Sequence, residues 1–372
     1  MCNSYKVYGQ HWSRVLLLAG LLLTAGCSED PLAGYRQAVA EVTGGVAGSR
    51  PELLPYPGRR ERALPLEEMR IGFIGYLRLT GCRLMDLISE RNSALGKVMP
   101  PSRRLAYEVD FLAAARSCRE RALAADQPDR EFIAELERII GQKRRQLPRV
   151  LWLATFDSPE FQQALSLAAS PLAEDDEGGF ADSLEAVAYL TALGWDLDSP
   201  VDISALEVRY QALQAHEYGG RLFQSLAALT ATLDGVAREL EVLVARPLCA
   251  ARRAVEEARV LEQVYRQRYQ QRLAPYLERV EAEGRRWLAA LSDLLAVIAV
   301  EPPPAFAAYR RRMLSLEDGL WQDFEKARRR HDQAWAALLG QCGLPASPGS
   351  VTKKPSAGQT APAGVSENSP AG

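Results

Sequence analysis

Residues 222–243 read LFQSLAALTATLDGVARELEVL, and the spacing of their apolar side chains decides the fold. Large apolar residues recur at alternating steps of four and three positions, which places them along one face of an α-helix. They are Leu222, Leu226, Leu229, Leu233, Val236, Leu240 and Leu243. This spacing is typical of a coiled-coil seam. It predicts a long helix that packs lengthwise against other helices.

Two further long helices are predicted to follow this one. Pro247 ends the first helix, and apolar residues at helical spacing predict a second over about 249–300. The prolines of EPPP, residues 301–304, force a turn, and a third helix is predicted over about 305–339. We therefore predict that residues 201–342 form an elongated antiparallel three-helix bundle of the coiled-coil type.

The start of the first long helix carries two local signals. Ser204 and Glu207 have the spacing of a capping box, which predicts that the helix begins there. Gly219 and Gly220 then fall inside the predicted helix, where each glycine costs about 1 kcal/mol relative to alanine. The glycine pair therefore predicts a kink.

The preceding part of the chain, residues 66–200, is predicted to form helical hairpins. Its apolar residues also recur at steps of three and four, and Ser158 followed by Pro159 is typical of a helix start. No stretch shows the alternation of apolar and polar residues that indicates half-buried strands. The predicted fold class is all-α.

The beginning of the sequence has the layout of a secretory signal. Lys6 and Arg14 precede an apolar run over 15–25, which is about half the roughly 20 residues that a membrane-spanning helix needs. Residues 24–27, Thr-Ala-Gly-Cys, resemble a bacterial lipobox. Residues 1–26 are thus predicted to be a lipoprotein signal peptide. The alternative is a plain secretory signal that leaves Cys27 as an ordinary thiol.

Lipidation of Cys27 would determine where the protein resides. A mature lipoprotein terminus carries three acyl chains, palmitate among them, and more than one chain is enough for stable membrane attachment. Ser28 follows the cysteine in place of an aspartate, and by the sorting rule of enterobacterial lipoproteins this favours the outer membrane. The predicted location is the periplasmic face of the outer membrane, with the lipid as the contact to the membrane.

Two segments are predicted to lie outside the packed body. Residues 27–65 contain many Gly and Pro residues, although 32–42 could form a short helix, and they are predicted to be a lipidated tether. Residues 343–372 have almost no large apolar side chains. They are predicted to be disordered because they cannot bury enough apolar surface to offset the entropy of ordering.

The cysteines that remain after the predicted signal and lipid site predict two disulfides in an oxidising compartment. Cys82 and Cys118 lie almost equally far from the turn near Pro100, which places them at one height in a helix hairpin. Cys249 and Cys342 then pair by elimination. Their register is offset by about 22 Å of helix, so this second bond requires a bend, such as one at Pro275. Free thiols at 249 and 342 are the alternative.

Composition and motifs point to no catalytic, cofactor or metal site. The 45 basic and 47 acidic residues nearly balance, which gives no indication of nucleic-acid binding. His331 lies on an apolar helical stripe and is predicted to be a core residue. Two acidic groups depart from the EF-hand pattern and are predicted to be solvated loops with helix caps. They are Asp175, Asp176 and Glu177, and Asp196, Asp198 and Asp202.

The segment ERNSALGKVM, residues 90–99, has two interpretations. In the first it is a helix end and turn, in which Asn92 and a neighbouring serine bond the backbone and Gly96 caps the helix. In the second, Arg91, Asn92 and Lys97 form a polar recognition cluster at the tip of a hairpin. The structural interpretation is favoured.

Several stretches together resemble an uncharacterised family of bacterial putative lipoproteins, described only as a domain of unknown function. They are GCRLMDLISERNSALGKVMPPSRRLAYEVDFL at 81–112, RIGFIGYLRLTGC, LPRVLW, SPEF and the lipobox. The resemblance implies that the helical body and the lipid anchor belong together, and it implies no activity.

These observations lead to one expectation of function and two alternatives. We expect a non-enzymatic interaction or scaffold lipoprotein of the bacterial envelope that binds a partner protein. The alternatives are a hydrolase that acts on peptidoglycan or lipid through carboxylates brought together by folding, and a carrier that binds an apolar ligand in a cavity between helices.

Overall fold

The computed structural model describes residues 30–67, 78–174, 179–246, 248–249 and 253–345. Several predictions concern residues outside these ranges. They are the signal peptide, the lipid site Cys27, the acidic group at 175–177 and all but the first three residues of the predicted disordered tail. Nothing in the structure bears on them.

The described residues contain helices and no strands, so the predicted all-α class is confirmed. In chain order the α-helices are α1 Pro31–Thr43, α2 Arg59–Arg62, α3 Arg83–Asn92, α4 Ala94–Lys97, α5 Pro101–Leu123, α6 Arg130–Ala154, α7 Pro159–Ala164, α8 Phe180–Trp195, α9 Ile203–His216, α10 Tyr218–Ala245, α11 Glu256–Val264, α12 Ala274–Ile298, α13 Pro304–Tyr309 and α14 Gly319–Gln341. A π-helical segment, Tyr265–Leu273, joins α11 to α12, and another, Arg310–Leu314, follows α13.

The most extensive helix pair in the second half of the chain is α10 with α14, and α12 touches both helices near Gly284. Helix α10 packs along α14, and α12 contacts α10. At Gly284 of α12 a Cβ atom would lie 2.8 Å from Leu222 of α10 and 3.2 Å from Trp321 of α14. Glycine thus lets the three helices approach closely at this level. Ion pairs support the contacts, with Arg330 of α14 2.6 Å from Asp234 of α10.

The first long helix is divided where the sequence predicted a kink, but by a different residue. The break lies at Glu217, whose φ of 45° is left-handed, and α9 and α10 meet there. Gly219 and Gly220 are helical and fit against neighbouring segments, since a Cβ at Gly220 would lie 1.9 Å from the Ser166 carbonyl oxygen. The glycines therefore serve close packing.

The predicted capping box at the start of this helix is wrong. Helix α9 begins at Ile203, and the carboxylate of Asp202 accepts the Ala205 N–H at 3.0 Å. Glu207 instead accepts a hydrogen bond of 2.6 Å from the Ser102 hydroxyl of α5. The Glu207 side chain therefore makes a tertiary contact with α5 and does not cap the helix.

Both predicted disulfides are present. Cys249 and Cys342 are bonded, with their Cα atoms 5.1 Å apart. Cys249 lies in the connection between α10 and α11, because α11 begins only at Glu256. This connection, and no bend at Pro275, brings Cys249 to the end of α14. Pro275 stands in the first turn of α12, directly after the π-helical segment.

The buried apolar side chains divide into two main cores. The larger core crosses the predicted boundary at residue 200, because it contains Trp152 and Phe156 from the predicted N-terminal region as well as side chains of α10 and α14. The smaller core lies within the hairpin formed by α3, α5 and α6. The second half of the chain therefore does not form a bundle with a core of its own.

The predicted tether is wrong for residues 30–65, because this segment packs into the larger core. Helix α1 lies against α10, α11 and the π-helical segment Tyr265–Leu273, with Tyr35 and Val39 fully buried. Farther along, a Cβ at Gly48 would lie 2.0 Å from the Ala231 carbonyl oxygen of α10. The backbone at this point touches the body directly.

A buried arginine fixes the end of the same segment. Arg62 forms an ion pair of 3.3 Å with Asp157, and its guanidinium also donates to Gln162 at 2.7 Å. Its carbonyl oxygen accepts the indole N–H of Trp152 at 2.8 Å. Burial raises the pKa of the Asp157 carboxyl, while Arg62 opposes this rise. The segment therefore contributes buried polar contacts as well as apolar area.

Candidate functional site

The hairpin of α3 and α5 presents the predicted recognition segment at its tip. The disulfide between Cys82 and Cys118 joins the start of α3 to α5, with Cα atoms 5.8 Å apart. This confirms the pairing predicted from equal distance to the turn. Leu84 and Leu87 of α3 are buried against α5, so the hairpin is held by a covalent bond and by its own core.

The turn at the tip is closed by its own hydrogen bonds. The Ser93 hydroxyl donates to the Glu90 carbonyl oxygen at 2.7 Å and accepts the Gly96 N–H at 3.0 Å. A Cβ at Gly96 would lie 2.2 Å from the Glu90 carbonyl oxygen, so the turn requires glycine there. The Arg91 guanidinium donates to the Gly96 carbonyl oxygen. Arg91 thus stabilises the turn, which agrees with the interpretation of residues 90–99 as a helix end and turn.

Two large apolar side chains project from this closed turn into solvent. Leu95 is 84% exposed and Val98 is 74% exposed. Asn92 and Lys97 of the predicted recognition cluster are also exposed on the same turn. We call Asn92, Leu95, Lys97 and Val98 the tip surface. Sequence reasoning missed Leu95 and Val98, although their position in a short polar turn between two helices was a signal.

Buried charges fix the base of the hairpin. The Glu108 carboxylate, 2% exposed, lies 2.5 Å from Lys143 of α6 and 2.5 Å from Arg104 of its own helix. The Lys143 ammonium also lies 4.6 Å from the centre of the Phe111 ring. Burial lowers the pKa of Lys143, and Glu108 opposes this. An excess of cationic groups therefore surrounds one buried carboxylate and joins α5 to α6.

A second buried polar cluster surrounds His331 of α14, which is fully buried as predicted. Its Nε2 atom lies 2.7 Å from the phenolic oxygen of Tyr35 and 3.1 Å from the indole nitrogen of Trp335. Its Nδ1 atom lies 3.4 Å from Asp332, whose carboxylate also accepts from Tyr269 at 3.3 Å. Burial lowers the pKa of His331. The arrangement suits a neutral imidazole that donates at Nδ1 and accepts at Nε2.

Two clefts of the described structure lie beside α10. One of about 490 Å³ is lined by Leu32, Leu172 and Tyr276 and by the charged residues Arg36 and Arg50. Another of about 440 Å³ lies between residues 49–51 and α14. Both are partly open to solvent.

The second acidic group predicted to be loop and cap residues has that role. Asp198 lies 2.6 Å from Arg116 and 3.5 Å from Arg144, and these contacts lower its pKa. Asp202 caps α9, and Asp196 accepts from Ser199 at 2.7 Å. In the described ranges no group of three or more His, Cys, Asp or Glu side chains is arranged to hold a metal ion. No helix in those ranges is long and apolar enough to cross a membrane.

Carboxylates with a raised pKa occur at two separate places, which bears on the hydrolase alternative. Burial raises the pKa of Asp157, which pairs with Arg62, and of Glu283, which lies 3.9 Å from Arg279. Neither carboxylate lines either of the two larger clefts. The geometry does not bring them together in a shared cleft.

A family model described as "Protein of unknown function (DUF3080)" matches residues 33–346. The chain belongs to this family. No curated protein and no solved structure matches the chain. The expected resemblance to a family without an assigned activity is thereby confirmed.

The DUF3080 match begins inside α1 and ends four residues after Cys342. The family domain therefore includes both disulfides, the tip surface and the segment that packs between α1 and α2. The predicted lipobox lies before the matched region, so lipid attachment of this DUF3080 chain stays a prediction.

Proposed function

We propose that this protein is a lipid-anchored, non-enzymatic interaction protein of the bacterial envelope that docks a partner protein at the tip surface. The anchor is Cys27, and the location is the periplasmic face of the outer membrane. The observation that carries the docking proposal is the exposure of Leu95 and Val98 on a turn that is closed by its own hydrogen bonds. A backbone that is already ordered in the free protein loses less conformational entropy when its side chains enter a pocket.

The partner's chemistry follows from what surrounds the two apolar residues. Lys97 lies between them in sequence, and Arg103 is exposed in the first turn of α5. A complementary surface is an apolar pocket bordered by carboxylates, since charge complementarity speeds encounter and fixes orientation. The two buried apolar anchors would supply most of the affinity.

Site-specific photo-crosslinking in cells tests the docking proposal. A photoreactive amino acid at Leu95 is expected to give one crosslinked species of defined mass in the membrane fraction. The same probe at Trp195, which is 78% exposed at the end of α8, is the matched control and is expected to give none. Equal crosslinking from both positions would contradict a specific docking site.

Variants then test the proposed chemistry. Val98→Ser and Lys97→Glu are each expected to weaken the Leu95 crosslink, while both disulfides and the helical circular dichroism signal remain. If the crosslink keeps its yield in both variants, the tip surface is not the contact.

The anchor is tested separately. Radiolabelled palmitate should be incorporated into the wild-type chain and not into Cys27→Ala, and a wash in 0.5 M salt should remove the variant from the outer-membrane fraction. Membrane association of Cys27→Ala that survives this wash unchanged would contradict the anchor without affecting the docking result.

A further inference from the structure

The chain enters the described structure at Asp30, between two groups of arginines. On one side, Arg36 and Arg50 line the 490 Å³ cleft together with Asp30. On the other side, Arg268 and Arg272 of the π-helical segment line a narrow crevice with Asp30. We call these four arginines the anchor-root surface.

The length of chain before Asp30 limits how far this surface can lie from the proposed lipid. Cys27 precedes Asp30 by three residues, which span at most about 10 Å when fully extended. That distance is close to the Debye length of about 8 Å at physiological ionic strength. Charges around Asp30 would therefore act on the membrane that holds the lipid.

We propose that the anchor-root surface binds the phosphate groups of anionic phospholipids and so holds the body against the membrane. The proposal rests on the lipid anchor at Cys27 proposed above. Guanidinium groups suit this role because they pair with phosphate oxygens through two parallel hydrogen bonds. Residues 27–65, which were predicted to be a tether, would then hold the helical body against the lipid headgroups.

The charges and contacts of these arginines fit this role. Arg36 and Arg272 are exposed, and neither forms an ion pair within the described ranges. Arg50 is oriented by hydrogen bonds of 3.0 and 3.3 Å to Gln224 of α10. Two acidic residues, Asp30 and Glu174, line the 490 Å³ cleft together with Arg36 and Arg50, and the carboxylate of Asp30 is occupied as the cap of α1.

The backbone that carries these arginines is fixed to the body. Tyr35 of α1 is hydrogen-bonded to His331, and its ring lies 5.6 Å from that of Tyr269 in the π-helical segment. The backbone positions of the two groups of arginines on either side of Asp30 are therefore fixed relative to each other. A pre-formed basic surface avoids the entropy cost of ordering a flexible basic segment.

Vesicle co-sedimentation of the full mature sequence tests the proposal. The protein is secreted behind a non-lipoprotein leader and carries Cys27→Ser, so that no acyl chain contributes to binding. We expect it to bind vesicles of phosphatidylcholine with 30% phosphatidylglycerol at millimolar lipid, and not vesicles of phosphatidylcholine alone. Binding should disappear in 0.5 M salt. A basic residue near an anionic surface contributes about fivefold, so Arg36→Glu with Arg272→Glu should weaken binding at least twentyfold.

The matched control is Arg60→Glu with Arg130→Glu, which makes the same change of charge at two exposed arginines of α2 and α6. It is expected to change binding less than threefold. Equal loss in both double variants, or equal binding to neutral vesicles, would overturn the proposal.

The outcomes separate this proposal from the anchor itself. Palmitate incorporation with no arginine-dependent vesicle binding would leave the anchor and remove the anchor-root surface. Arginine-dependent binding without palmitate incorporation would keep a phosphate-binding surface and remove the lipid.

Discussion

The phenolic oxygen of Tyr35 and the Nε2 atom of His331 lie 2.7 Å apart, although the residues are 296 positions apart in sequence. The indole N–H of Trp335 points at the same pair, 2.8 Å from the Tyr35 oxygen. This contact joins the first described helix to the last. It places His331 in the core, where burial lowers its pKa.

The first prediction concerns the pH dependence of stability. Burial lowers the pKa of His331 in the folded protein, whereas an unfolded histidine takes up a proton below about pH 6.5. The unfolded state then binds more protons, so the free energy of unfolding should fall as pH drops below about 6.5. The slope contributed by one histidine is up to about 1.4 kcal/mol per pH unit, until the folded state is itself protonated.

Urea unfolding between pH 8 and pH 5 measures this effect. His331→Gln should be less stable at pH 8 and should lose this part of the slope. His216→Gln, at an exposed position paired with Asp182, serves as the control. A His331→Gln protein with the wild-type slope would show that another group carries the pH dependence.

The second prediction concerns the contribution of α1 to stability. Tyr35→Ala and Val39→Ala each remove fully buried atoms, so they should lower the free energy of unfolding by about 3–5 and about 1–3 kcal/mol respectively. Gln37→Ala changes an exposed residue of the same helix and should have an effect within about 0.5 kcal/mol. If this segment were an external tether, none of the three variants would lower the free energy of unfolding. Denaturant titration of the three variants distinguishes the two cases.

Local pattern was sufficient for the fold class and for the Cys82–Cys118 disulfide, whereas the Cys249–Cys342 disulfide was predicted only by elimination. The heptad spacing around Leu233 correctly identifies buried residues of α10 without knowledge of the partner helix, although Phe223 and Ala231, which lie off this seam, are buried as well. Equal distance from a turn likewise located Cys82 opposite Cys118. Helical spacing and distance from a turn can both be read from one sequence, because they depend only on residues that are near one another along the chain.

The errors arose where distant segments meet. Residues 44–66 are rich in Gly and Pro and have little regular structure, so their composition resembles that of a linker. Their glycines permit close contact instead, as Gly48 does against Ala231. The same holds for Glu207, whose hydroxyl partner Ser102 lies 105 positions away. Composition cannot report such a contact.

The candidate site was predicted only in part, for a similar reason. The segment 90–99 was correctly placed at a hairpin tip, but the cationic residue Arg91 serves the turn. The exposed apolar residues Leu95 and Val98 carry the surface instead. Their exposure depends on how the turn closes, which is set by the Ser93 and Gly96 contacts.

The third prediction concerns the buried charges at the base of the hairpin. Lys143→Met leaves the Glu108 carboxylate buried with Arg104 as its remaining partner, which should cost about 2–3 kcal/mol. The double variant Glu108→Leu with Lys143→Met removes both buried charges, and Arg104 can reach solvent from its position. It should be more stable than the sum of the single changes by at least about 1 kcal/mol. Additive losses in urea unfolding would show that the pair is not coupled.

The last prediction compares two helix ends that share a left-handed backbone. Ala299 follows α12 with φ of 52°, and Gly44 follows α1 with φ of 90°. A side chain is disfavoured in this region by roughly 1–2 kcal/mol, and glycine is not. Ala299→Gly should therefore raise the free energy of unfolding by about 0.5–1 kcal/mol, and Gly44→Ala should lower it by about 1 kcal/mol. A Cβ at position 44 would have no atom within 4 Å, so the loss there reports backbone strain alone. Thermal unfolding of the two variants checks the opposite signs, and a loss in both would indicate that Ala299 contributes through its methyl group.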